Sequence, residues 1–81
     1  MAFNVTLKGD TIKIESTFGE NLSLTCPAPS RQTLLQGLEG QDSSVIRSVA
    51  TNRVRAAALT ALKSVGISAS WGAVTVNMGE F

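Results

Sequence analysis

The alternation of apolar and polar residues near the start of the chain constrains its fold more than any other feature. Apolar side chains occupy every second position on both sides of a Gly-Asp pair: Phe3, Val5, Leu7, Ile12 and Ile14. A two-residue turn at Gly9-Asp10 places Leu7 opposite Ile12 in an antiparallel hairpin. A slip of one residue would turn every apolar side chain to the other face, so the pattern predicts this register.

A third strand is predicted to follow the hairpin. The turn before it falls at residues 18–21, where Gly19 can adopt the positive φ of a three-residue hairpin loop. Residues 22–26 then continue the apolar alternation. Pro27 ends the strand, because proline has no N–H to donate to a ladder.

A short helix is predicted over residues 31–36, with Ser30 as its N-cap. An extended conformation of residues 32–36 is the alternative, because the run is too short for periodicity to decide. A long helix then starts at Asp42 or Ser43, runs to about residue 64, and has Gly66 as its C-terminal glycine.

The apolar stripe of the long helix rotates by roughly a third of a circle between its two halves. Either the helix crosses its own sheet diagonally, or one half docks on a neighbouring subunit. The second interpretation predicts a protein interface at Val54, Ala58, Leu62 and Trp71. The small core favours it, because 5% aromatic content leaves mainly aliphatic residues to fill the interior.

The final predicted strand changes phase at Gly72, as expected for a bulge or for a strand broken in two. Trp71, beside the switch, is either a core residue with its N–H satisfied or an interface anchor. The element order β-β-β-α-α-β predicts an α+β fold. In it, a small antiparallel sheet carries one long and one short helix on one face, and the partner of the last strand is left open.

Size and charge restrict the possible classes of protein. The 81 residues make one domain, residues 1–81, and the net charge of +1 implies no strong attraction to nucleic acid or anionic membranes. Residues 1–20 show no signal-peptide pattern, and no apolar run is long enough for a membrane span. The expected location is the cytoplasm, or the host-cell cytoplasm for a viral protein.

Catalytic chemistry is missing from the sequence. There is no histidine, which removes the commonest general base and metal ligand, and Cys26 is the single cysteine. The acidic residues are scattered along turns and strands. We therefore expect no enzyme activity, no metal and no cofactor.

Two short patterns resemble known families. Gly37-Leu38-Glu39-Gly40 resembles the GXXG loop of KH nucleic-acid-binding domains, but its acidic interior would repel phosphate. Residues 53–57 (RVRAA) followed by residues 74–77 (VTVN) are similar to the N-terminal domain of magnesium-chelatase-like ATPases. The ATPase module is not among these residues, so no function is taken from that resemblance.

The sequence thus favours a non-enzymatic interaction protein that binds itself, as a homodimer or part of a larger assembly, or binds another protein. Small phage and mobile-element proteins often have this character. The alternative is nucleic-acid binding through the cations of the long helix, which are Arg47, Arg53, Arg55 and Lys63.

Overall fold

The computed structural model describes residues 2–17, 22–79 and 81. Its elements in chain order are β1 (Phe3–Lys8), β2 (Thr11–Ser16), β3 (Ser23–Pro27), α1 (Arg31–Leu35), α2 (Ser43–Ser64), a 3-10 turn (Trp71–Ala73) and β4 (Val74–Asn77). The predicted α+β class and element order are confirmed. Residues 31–35 are helical, so the extended alternative for this stretch was wrong, and the predicted turn at residues 18–21 lies outside the described residues.

The hairpin has the register that the sequence predicts. Leu7 pairs with Ile12, and Val5 pairs with Ile14. Gly9 has a φ of 59°, the positive value that a type II′ turn requires of its first central residue. The alternating pattern and one glycine are therefore enough to define this part of the sheet.

The fourth strand corrects the prediction of a wholly antiparallel sheet. The strand order is β3-β2-β1-β4, and β4 runs parallel to β1. Two antiparallel pairings separate β3 from β1, so those two strands point the same way. The helix α2 then carries the chain back across the sheet to the end at which β1 and β3 begin. A strand that starts there, as β4 does, runs parallel to β1.

The core lies between one face of the sheet and a stripe along α2. Its helical members are spaced by four residues: Ala50, Val54, Ala58 and Leu62. A step of four residues advances about 40° around a helix, so the stripe drifts and follows the twist of the sheet. The structure therefore moves Val54, Ala58 and Leu62 from the predicted interface into the core of their own subunit, where each is fully buried.

The segment before β4 also differs from the prediction. Residues 67–70 form no strand, and Trp71 lies in the 3-10 turn with 46% of its surface exposed. Trp71 is therefore a surface residue rather than a core residue. Among the described residues, no helix combines the length and apolarity needed to cross a membrane.

The start of α2 extends beyond the sheet. The 22 residues of α2 span about 33 Å, whereas the six-residue strands span about 20 Å. Within α2, burial begins at Ala50, so the first two turns project past the strand ends. The molecule is correspondingly elongated, with dimensions of 42 × 21 × 20 Å.

Candidate interaction surfaces

The four cations of the predicted nucleic-acid site do not form one patch, and Arg53 has a structural role. Its Nη1 donates hydrogen bonds to the carbonyl oxygens of Thr33 (3.1 Å), Leu34 (2.9 Å) and Gln36 (3.0 Å). These carbonyls lie at the C-terminal end of α1, where a helix runs out of N–H donors, although the carbonyl of Thr33 also accepts from the backbone N–H of Gln36 at 3.3 Å. Arg53 thus fastens α1 to α2.

Arg55 is engaged with an aromatic ring. Its guanidinium carbon lies 5.1 Å from the centroid of the Trp71 ring, within the range of a cation–π contact. The Nε atom of Arg55 is buried and has no hydrogen-bond partner among the described residues. The arginine side chain therefore packs under the tryptophan and supports it at the surface.

Arg47 and Lys63 are exposed at opposite ends of α2. Sixteen residues separate them, which corresponds to about 24 Å along the helix. A phosphate-binding patch needs cations concentrated in one place. Of the predicted set, Arg47 and Arg55 line the same shallow groove, whereas Lys63 lines a different one.

An apolar groove lies under the projecting first turns of α2. We call it the α1/α2 groove; its volume is about 660 Å³, and it is lined by Arg31, Leu35, Leu38, Glu39, Ser43, Ser44, Ile46, Arg47 and Phe81. The guanidinium of Arg31 lies 4.7 Å from the Phe81 ring centroid. Sequence reasoning missed this groove, because its walls come from segments up to 50 positions apart.

The loop that resembles a KH motif contributes to this groove. Gly37 and Gly40 have φ values of 79° and 80°, and the two residues between them both line the groove. Leu38 is half-buried there and Glu39 is exposed. The glycines thus turn the chain so that the loop interior becomes part of an apolar wall.

A second, polar surface follows one side of α2. We call it the Trp71 face; it comprises Trp71 together with the lining of a shallow polar groove, which is Ser44, Arg47, Ser48, Thr51, Asn52 and Arg55. Arg47 and Arg55 both line this groove, with Thr51 between them along the helix. No carboxylate lines this groove among the described residues.

Cys26 offers no sign of activation. It is half-buried at the edge of the core, and burial raises the pKa of its thiol. A raised pKa reduces the thiolate fraction, which is the reactive form. Within the described residues, no group of His, Cys, Asp and Glu side chains is arranged to hold a metal ion.

No protein family, no curated protein and no solved structure matches the chain. The two segments that resemble magnesium-chelatase-like proteins fall in α2 and β4, where Val54 and Val74 are core residues. The functional proposal therefore depends on the surfaces themselves.

Proposed function

We propose that this is a non-enzymatic interaction protein that self-associates through the α1/α2 groove, as a homodimer or as a component of a larger assembly. The observation that carries the proposal is the groove itself, which lies where α2 projects past the sheet. A projecting helix end with an apolar underside leaves side chains in water that a second subunit would cover.

The apolar content of this end supports association. Leu35, Leu38 and Ile46 are half-buried in the groove, and Val45 on the same helical turns is 40% exposed. A stable interface covers about 800 Å² on each partner, roughly a sixth of this molecule's 5140 Å². An area of that size is compatible with the groove and the projecting turns of α2.

Charge favours a second copy of the chain as the occupant. The groove contains both signs, with Glu39 on one wall and Arg47 on the other. Neither side chain has an ion-pair partner among the described residues, whereas Arg31 is already stacked on Phe81. A two-fold axis through the groove would bring Glu39 of each copy opposite Arg47 of the other, which makes the contact self-complementary.

Paired charge reversals test this arrangement. We expect the wild-type protein to have a dimeric mass by light scattering at tens of micromolar. Glu39→Arg and Arg47→Glu should each be monomeric, because each homodimer would then contain two like-charge contacts. An equimolar mixture of the two variants should recover the dimeric mass, since both contacts become opposite in sign.

Lys63→Glu serves as the control, because Lys63 is exposed and lies outside the groove. It should leave the mass unchanged. A monomeric wild-type protein would refute self-association. If the wild type and both groove variants were all dimeric, the interface would lie elsewhere. If the wild type were monomeric and bound a different protein at the part of the groove that contains Ile46, the partner would be heterologous.

A further inference from the structure

The Trp71 face has a composition that differs from the rest of the surface. It combines two arginines, three hydroxyl-bearing side chains, an amide and the single tryptophan of the chain. Neither Arg47 nor Arg55 has an ion-pair partner among the described residues. The ion pair found there joins Lys13 to Glu15. The face therefore presents uncompensated positive charge next to an aromatic ring.

Trp71 is held at the surface rather than left there by chance. Arg55 contacts its ring, and the 3-10 turn fixes its backbone at the start of β4. Nearly half of the side chain still faces solvent, at 46% exposure. A supported, accessible ring of this size is suited to stacking on another flat ring.

The spacing of the charges fits a flexible anionic chain. Arg47 and Arg55 are eight residues apart on one side of α2, or about 12 Å along the helix. Thr51 lies between them, and its hydroxyl donates to the carbonyl oxygen of Arg47 at 2.7 Å. The two guanidinium groups can therefore contact separate phosphates of one strand while a base reaches Trp71.

We propose that the Trp71 face binds single-stranded nucleic acid, with phosphates at Arg47 and Arg55 and a base stacked on Trp71. Stacking on an aromatic side chain, combined with cations that follow the backbone, is the usual basis of sequence-independent single-strand binding. This function goes beyond self-association and centres on Arg55 and Trp71, which lie outside the α1/α2 groove, although Ser44 and Arg47 border both surfaces. It also replaces the four-cation set with a smaller site that omits Arg53 and Lys63.

The proposal predicts weak, moderately salt-dependent binding. For single strands, the slope of log K against log salt is about −0.7 per phosphate contact, so two contacts give about −1.4. Affinity should then fall about sevenfold between 50 and 200 mM salt. A larger slope would require cations that this face does not contain.

Intrinsic fluorescence provides a direct assay, because Trp71 is the single tryptophan. We expect a short oligothymidylate to quench Trp71 emission at low salt. Inorganic polyphosphate, which has charge without bases, should bind more weakly and quench little. Poly-glutamate tests whether the face instead binds acidic polypeptides.

Variants locate the contact by anisotropy of a labelled oligothymidylate. Trp71→Leu should weaken binding about 5- to 150-fold, the usual cost of losing one stacked base. Arg47→Ala should reduce the salt slope to about −0.7. Lys63→Ala should leave affinity unchanged, because Lys63 lines a different groove.

Three results would overturn the proposal. The first is the absence of quenching at low salt. The second is equal affinity of wild type and Trp71→Leu for the oligothymidylate, which would mean that no base stacks there. The third is tighter binding of poly-glutamate than of oligothymidylate, which would make the face a site for acidic proteins.

Discussion

Replacing Arg53 by methionine should destabilise the fold and loosen α1, which forms part of the α1/α2 groove, while leaving the Trp71 face in place. Methionine keeps a long, flexible apolar chain but has no N–H group. The change would leave the carbonyl oxygens of Thr33, Leu34 and Gln36 without the donor that now lies within 3.1 Å of each. Because Leu34 is a core residue, loosening α1 also disturbs the interior.

The size of the effect follows from the geometry. A hydrogen bond to a charged group contributes about 1.5–3 kcal/mol. Here one nitrogen serves three acceptors and two of the bonds are exposed, so we expect a total loss of about 2 kcal/mol in the free energy of unfolding. For a domain of this size, that loss corresponds to a fall of roughly 8–16 °C in Tm.

Urea denaturation followed by far-UV circular dichroism measures the change. Lys63→Met is the matched control, because it removes an exposed cation from the same helix and should shift stability by less than about 0.5 kcal/mol. Arg53→Lys should recover only part of the loss, since an ammonium cannot reproduce the planar geometry of the guanidinium. Equal stabilities of Arg53→Met and Lys63→Met would refute the fastening role of Arg53.

Two further predictions concern the core. Leu62→Ala should lower the free energy of unfolding by about 2–5 kcal/mol without changing the mass of the protein in solution. Val65→Ala is the control and should have little effect, because Val65 is 51% exposed. A change of mass in Leu62→Ala would show that Leu62 contributes to an interface. Because burial raises the pKa of the Cys26 thiol, alkylation at pH 8 should be slower than for free cysteine and should recover that rate in urea; equal rates in the folded protein would contradict the burial of Cys26.

Local features of the fold could be predicted from the sequence because they depend on local chemistry. The pairing of Leu7 with Ile12 follows from strict alternation around one turn. The Ser30 side chain accepts a hydrogen bond from the backbone N–H of Thr33, as an N-cap should. Strand period, turn glycine and helix cap all act within a few residues, so their outcome is visible in one stretch of sequence.

Relations between distant segments could not be predicted in the same way. Periodicity shows which residues of α2 share a face, but not whether that face meets the chain's own sheet or another subunit. The sequence therefore predicts an interface at Val54, Ala58 and Leu62, whereas the structure buries all three in the core. The contacts of Arg53 are equally invisible, because its acceptors are backbone carbonyls that any residue could supply.

The parallel pairing of β1 with β4 affects how the molecule acquires its structure. β1 finds β2 across a two-residue turn, yet its other neighbour begins at Val74, about 70 positions later. The hairpin can therefore assemble early, while closing so long a stretch of chain is slow. Until β4 arrives, the outer backbone of β1 can pair with a strand from another molecule, and renaturation yields should fall as protein concentration rises.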